Sequence, residues 1–301
     1  MLCRNPLFIN GVAAGCGQCG PCRLNKRREW THRIMLEAQC HEKNAFVTLT
    51  YDEDNLPSGG HLRPEDLTKF LKRLRDRLYP ERIRYYAVGE YGDKSQRPHY
   101  HLALFNLESC SHGRTPWTSK GFRPCHSGCV CVQVSEEWGK GRIEVAELNP
   151  HSSQYIAGYV VKKMTKGDDP RLNGRPPEFA HMSRRPGIGA NFIPNIVVTL
   201  NKLGLDATNV DVRELRHGNK KWPLGRYLGG KLLEEITPDL QVSKALRRRK
   251  ARNKLRELQT EAKAAYEAGR TVNVKDYVLQ KGEGKAINIE AAHKRKRNKS
   301  L

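Results

Sequence analysis

The 301-residue sequence predicts an α+β fold. An antiparallel central sheet carries helices on one face, a Cys-rich segment precedes it, and a basic helical tail follows. Three observations carry this expectation. Residues 45–51 alternate, with Val47, Leu49 and Tyr51 on one side and Phe46, Thr48 and Thr50 on the other, the period of a strand. The second side is mostly polar, as in a sheet with one face covered by helices and one open to a ligand. Residues 82–90 and 97–105 are strand-like and joined by a short Gly-containing turn, which makes them antiparallel neighbours. Ahead of these two strands, Leu67, Phe70, Leu71, Leu74 and Leu78 form the apolar stripe of an amphipathic helix.

Lys and Arg outnumber Asp and Glu by 54 to 32, a net charge of +22. This suits a polyanionic partner, most simply nucleic acid. No run is long and apolar enough to span a membrane, and Leu7-Phe8-Ile9 is too short for a signal-peptide core. Nine cysteines, an odd number, fall mostly in two groups, near the N-terminus and at 110–131. That pattern points to reduced thiols or metal sites in a cytoplasm, not to a secreted disulfide framework.

In chain order, Cys3 and the run Cys16-Gly-Gln-Cys19-Gly-Pro-Cys22 are candidate ligands of a structural Zn²⁺, four thiolates around one centre. Residues 23–42 read as a helix with Trp30, Ile34 and Ala38 facing the core. Its first turns carry Arg23, Lys26, Arg27 and Arg28, which oppose the helix dipole and suit an anion or a solvated basic face. Pro64 opens the next helix with Glu65 and Asp66 in its first turn. Pro80 stops it, and Lys72, Arg73, Arg75 and Arg77 read as a solvated face. Residues 106–141 are a Cys-rich insertion holding Cys110, His112, Cys125, His126, Cys129 and Cys131. They suggest either a second zinc loop or an insertion in which Val130, Val132 and Val134 pair as an edge hairpin. Residues 141–147 read as a strand, and 149–153 offer N-caps for a helix through 164. Residues 183–191 form a basic turn-rich loop in which Arg184 and Arg185 suit a phosphate backbone. Residues 243–256 read as a basic helix, and the tail 293–299 as disordered.

Two stretches carry chemistry. In Arg97-Pro98-His99-Tyr100-His101, strand alternation puts both imidazoles on one face, a half-site for a divalent cation. Glu90, near the end of the neighbouring strand, supplies a third ligand for Mg²⁺ or Mn²⁺, unless it merely pairs with Arg97 or Lys94. In Gln154-Tyr155-Ile-Ala-Gly-Tyr159-Val-Val-Lys162-Lys163, helical spacing aligns Tyr155, Tyr159 and Lys163, with Lys162 beside them, on a face that apolar packing does not use. With a cation on the phosphate, a tyrosine oxygen can attack phosphorus and displace a 3′-hydroxyl, leaving a 5′-phosphotyrosine.

This order of a Phe-Val-Thr-Leu-Thr strand, His-x-His and Tyr-x3-Tyr-x2-Lys-Lys resembles the HUH endonucleases that start rolling-circle replication. The finer resemblance is to the replication initiators of microviruses, especially the gokushovirus branch. It rests on Cys16 to Arg23, on Gly89-Glu90-Tyr91-Gly92 leading to His101, and on Met182-Ser-Arg-Arg-Pro-Gly-Ile-Gly189. It covers about residues 1–195. It implies an HUH/RRM-like sheet, a catalytic Mg²⁺ or Mn²⁺ on His99 and His101, and Tyr159 and Tyr155 as nucleophiles, Tyr159 first. It implies single-stranded origin DNA as substrate and the host cytoplasm as the place of action. With no Gly-rich Lys-Ser/Thr loop in the chain, unwinding and synthesis fall to a host helicase and polymerase. The expected organisation is 1–22 Cys-rich, 23–195 endonuclease with the insertion 106–141, 196–240 accessory, and 241–301 basic helix and tail. Two rival readings are a zinc-stabilised DNA-binding regulator without chemistry and a single-tyrosine HUH transposase or relaxase.

Overall fold

The computed structural model describes residues 3–9, 12–92, 95–110, 117–118, 121–122, 125, 128–162, 170–205, 212–271 and 273–298. In chain order, a hairpin of β1 (Leu7–Ile9) and β2 (Val12–Ala14) leads into α1 (Gly20–Ala38), β3 (Asn44–Thr50), α2 (Pro64–Leu78), β4 (Arg84–Tyr91) and β5 (Pro98–Phe105). The insertion contributes the two-residue strands β6 (Trp117–Thr118) and β7 (Gly121–Phe122). Then come α3 (Val130–Trp138), β8 (Ile143–Glu147), α4 (Pro150–Lys162), β9 (Phe179–Met182), α5 (Ile193–Lys202), the hairpin β10 (Glu214–His217) and β11 (Lys220–Pro223), α6 (Gly225–Ile236), α7 (Leu240–Glu267) and α8 (Val274–Asn298).

The chain divides into two compact units. One is Trp30–Ile193; the other joins the N-terminal segment through Glu29 to the chain from Pro194 onward. The first contains a five-stranded antiparallel sheet of order β8-β3-β5-β4-β9. Strand alternation works as expected. Ala45, Val47, Leu49, Tyr100, Leu102 and Leu104 point to one face, where they pack with Leu67, Phe70, Leu71 and Leu74 of α2 and Val134 and Trp138 of α3. Burying one such side chain stabilises the fold by roughly 1.5–3 kcal/mol. The opposite face carries Tyr86, Val88, Ala103 and Phe105, packed with Ile34 of α1 and Ile156, Ala157 and Tyr159 of α4. This second face is therefore partly roofed by helices, and it is open where Thr48, Thr50 and His99 line a cleft.

Three local expectations change. Val130, Val132 and Val134 do not form an edge hairpin but sit in α3. In the helix, Cys131, Val134 and Trp138 line up at three- and four-residue steps on the buried side, a period that the valine alternation had masked. Arg73 and Arg77 are not merely solvated: Arg73 donates to the Glu137 carbonyl, and Arg77 pairs with Glu136 and Glu137, tying α2 to α3. The loop after β9 is bound to the sheet, because the buried Glu37 of α1 accepts from the Gly189 backbone N–H at 2.6 Å and pairs with Arg84. Arg84 Nη2 in turn donates to the Pro186 carbonyl at 2.7 Å. Gly189, at φ +83°, occupies the left-handed region that glycine adopts without strain.

In the second unit, Asp239 caps α7, its Oδ1 accepting from the N–H groups of Gln241 and Val242. Helices α7 and α8 pack through Ala262, Ala265 and Val278, with Glu261 hydrogen-bonded by Tyr277 and ion-paired to Lys281. Residues expected to form a tail are helical through Asn298. Gly282 of α8 lies against the backbone of Cys3. His112, His126, Lys94 and Lys163 lie outside the described residues, as does the side chain of Lys162. Among the described residues, no helix is long and apolar enough to cross a membrane.

Candidate metal centre and tyrosine pair

The ladder registers bring the centre together. Thr48 lies opposite His101, Thr50 opposite His99, and Glu90 opposite His99. Paired residues project to the same face, so two strand pairings place a carboxylate beside two imidazoles. Glu90 Oε1 lies 2.7 Å from His99 Nε2 and 3.2 Å from His101 Nε2, and the ligand atoms of the three residues lie within 4.8 Å of one another. Arg97 does not compete for Glu90: it pairs with Glu53 at 2.6 Å and donates to the Tyr51 carbonyl at 3.0 Å.

The far sides of the rings are held too. His99 Nδ1 lies 3.1 Å from the Arg97 carbonyl, which can only accept. Nδ1 therefore carries the proton, and Nε2 of the neutral ring presents a lone pair to the Glu90 oxygen. Only a proton or a cation fits between two lone pairs. His101 Nδ1 is 3.0 Å from Thr48 Oγ1, while its Nε2 is buried and makes no hydrogen bond despite the nearby carboxylate. A backbone or hydroxyl partner at Nδ1 with Nε2 aimed inward is the way metal-binding histidines are oriented, and two imidazoles with one carboxylate suit a divalent ion that keeps open positions. The residues present thus fit a divalent cation.

Electrostatics agree. Burial alone would raise the Glu90 pKa, but His101 and His99 bring it below the ordinary carboxylate range. Burial acts to lower the His99 pKa, and Glu90 overrides it, leaving the value raised. The more enclosed His101 is lowered, with burial the leading cause.

Helix α4 sets the tyrosines over this centre. Its start is fixed by Asn149, whose Oδ1 accepts from the N–H groups of His151 and Ser152, while Ser152 Oγ accepts from the Asn149 N–H at 2.8 Å. Tyr159 stacks on His101 with ring centroids 5.3 Å apart and planes 9° from parallel. Tyr155 meets Tyr159 edge-on at 4.9 Å and His101 at 5.2 Å. The two phenols do not share an unused face. Tyr159 is 6% exposed and part of the core, whereas Tyr155 is 43% exposed and lines the cleft. The hydroxyl of Tyr159 interacts with Tyr155 and Glu90, and burial together with these neighbours holds it protonated, its pKa raised.

The cleft measures about 950 Å³ and is lined by Thr48, Thr50, Arg97, His99, His101, Arg142 and Tyr155, among others. Phe46, which stacks on His101 at 5.7 Å, and Thr48 were not singled out by the sequence reading, although both lie on the side of β3 it marked as open. Arg184 and Arg185 are exposed. The two N-terminal Cys-x-x-Cys steps and Cys3 converge as well, with the Sγ atoms of Cys3, Cys16, Cys19 and Cys22 within 4.8 Å of one another.

Residues 44–168 match the family model of replication-associated protein ORF2. Among curated proteins, the chain is 37% identical over 198 residues to replication-associated protein ORF2 of Spiroplasma virus 4, covering 62% of this chain and 59% of that one. It is 33% identical over 192 residues to replication-associated protein VP4 of Bdellovibrio phage phiMH2K, with the same coverage. It is 32% identical over 165 residues to replication-associated protein ORF4 of Chlamydia phage 1, covering 51% of this chain and 39% of the relative. The chain thus spans less than two thirds of the length of these relatives. No solved structure matches. The resemblance to phage replication initiators drawn from the motifs is borne out, and the matched segment holds the whole centre described above.

Proposed function

We propose that this chain is a rolling-circle replication initiator, a metal-dependent endonuclease and strand-transferase that nicks single-stranded DNA at a phage origin. The observation that carries the reading is the stacking of Tyr159 on His101, beside the convergence of Glu90, His99 and His101. Similarity to phage replication-associated proteins supports the biological setting.

Glu90, His99 and His101 would hold Mg²⁺ or Mn²⁺. Such an ion neutralises charge on the non-bridging phosphate oxygens and offsets the field that keeps Tyr159 protonated. The Tyr159 oxygen attacks phosphorus, the P–O3′ bond breaks, and the 3′-hydroxyl leaves with a proton. The resulting 5′-phosphotyrosine ester conserves the bond, so a free 3′-hydroxyl can reverse the step. Tyr155, on the cleft side, is the second acceptor for a later transfer. Lys162 and Lys163 supply positive charge at the end of the same helix. Arg97, Arg184 and Arg185 contact the DNA backbone. Cys3, Cys16, Cys19 and Cys22 hold a structural Zn²⁺. The endonuclease lies within residues 23–195, a host helicase and polymerase extend the strand, and the reaction runs in the bacterial cytoplasm.

The test is incubation with single-stranded origin DNA and Mn²⁺, followed by a denaturing gel. A covalent protein–DNA band that needs the metal supports the reading. Its absence with every divalent ion tried returns the protein to the class of non-catalytic DNA-binding regulators.

A further inference from the structure

We infer that Cys110, Cys125, Cys129 and Cys131 form a second tetrathiolate zinc centre, separate from the N-terminal cysteines and from the Glu90–His99–His101 site. Their four Sγ atoms lie within 4.8 Å of one another. Cys129 Sγ is 3.6 Å from Cys110 Sγ and 3.4 Å from Cys131 Sγ. A tetrahedral ion with Zn–S bonds of about 2.3 Å sets its sulfurs about 3.8 Å apart, whereas a disulfide needs about 2.05 Å. None of the nine cysteines is in a disulfide. The spacing is that of thiolates around an ion.

The backbone fits the same role. Cys129 is the N-cap of α3 and Cys131 lies in its first turn, where no acidic residue is present. The Cys131 N–H hydrogen-bonds the Cys129 sulfur, and the helix N-terminus favours negative charge there. Cys110, Cys129 and Cys131 are buried and Cys125 half-buried, which shields the centre from solvent on one side and leaves an entry on the other. Four sulfur donors select zinc over the hard cations that suit Glu90, His99 and His101.

The location gives the centre a task. It ties the end of β5 and the insertion to the start of α3, whose other end closes on the cleft. Trp138 Nε1 donates to the Thr50 carbonyl at 2.8 Å, and Ser135 and Gly139 line the cleft wall. Zinc here replaces the core that an irregular insertion cannot build for itself.

The experiment is zinc analysis of the full chain, purified without chelator, with four proteins compared: wild type, C129S/C131S, C16S/C19S, and Cys40→Ser as a control outside both clusters. About one zinc per chain is expected to disappear with C129S/C131S and none with Cys40→Ser. Wild type should hold about two if the N-terminal centre also binds, and about one if it does not, so the two assignments are read separately. An unchanged zinc content in C129S/C131S overturns the inference. So does iron in place of zinc, or a Cys110–Cys129 disulfide by mass spectrometry. A measurement on wild type alone guards against misfolding of the variant. Alkylation of the half-buried Cys125, mapped by peptide mass, should occur only after a zinc chelator is added, and ready alkylation beforehand overturns the proposal.

Discussion

The ring of Tyr159 lies flat against the ring of His101, 5.3 Å between centroids, with Tyr155 set edge-on to both. One phenol is thereby sealed beside the Glu90 carboxylate, and the other opens on the cleft. Tyr159→Phe keeps the stacking and removes only the nucleophilic oxygen, so it should fold and bind DNA yet lose the covalent adduct by about 10³-fold or more. Tyr155→Phe should still form the first adduct but fail in transfer to a second strand. Adduct yield on a denaturing gel reads both; full adduct formation by Tyr159→Phe would move the nucleophile elsewhere.

Thr48 holds Nδ1 of His101 from the neighbouring strand. Thr48→Val keeps the shape and removes the hydroxyl. Partners of this kind are worth about 10–100-fold in metal affinity. Calorimetric titration with Mn²⁺ should show a loss of that size with little change in thermal stability. Equal affinity for the two proteins would mean that Nε2 of His101 does not ligate.

Glu37 is fully buried, and its carboxylate receives His41, the Gly189 N–H and Arg84. Burial by itself would raise its pKa, but these partners leave it lowered. The sign follows: its stabilisation is complete above the unfolded value of about 4.3 and is lost as pH falls through the folded value. Glu37→Gln strands Arg84 and should cost about 3–5 kcal/mol, a fall in Tm on the order of 10 °C. The difference in Tm between wild type and variant should shrink from pH 7 to pH 3. A difference that stays constant across that range would separate Glu37 from the acid sensitivity.

Gly282 of α8 passes so close to Cys3 that an added Cβ would meet the Cys3 carbonyl oxygen at 2.1 Å. Backbone cannot yield there as a flexible side chain would. Gly282→Ala should displace Cys3 and release zinc from the N-terminal cysteines while leaving the zinc at Cys129 in place. Gly284→Ala, where nothing lies within 4 Å, is the control. Release kinetics with a chromogenic chelator distinguish the two variants, and identical kinetics would show that α8 does not brace the cysteine segment.

Much of this molecule was legible in the sequence because its signals are periodic. Alternation marked β3 and the His99/His101 face, the Leu67–Leu78 stripe marked α2, and the short turn after β4 made Glu90 a neighbour of His99. What escaped was set by contacts between distant segments. The valines of α3 alternate like a strand, and only packing of Trp138 and Val134 against β8 and α2 makes them a helix. The spacing of Tyr155 and Tyr159 put them on one line but did not say which would be buried. That depended on how α4 lies across β4 and β5. Nor did the irregular spacing of Cys125, Cys129 and Cys131 reveal that Cys110, from the other side of the insertion, completes their cluster.

Sequence alone determined which residues carry chemistry and which neighbours they have along a strand or helix, because side-chain direction follows backbone period. Only the tertiary structure decided that the Glu90 oxygen meets both imidazoles, that Tyr159 is sealed against His101, and that Glu37 fastens the loop at Gly189. Those are distances across elements, and they are set by strand register and core packing, which act on the whole fold at once.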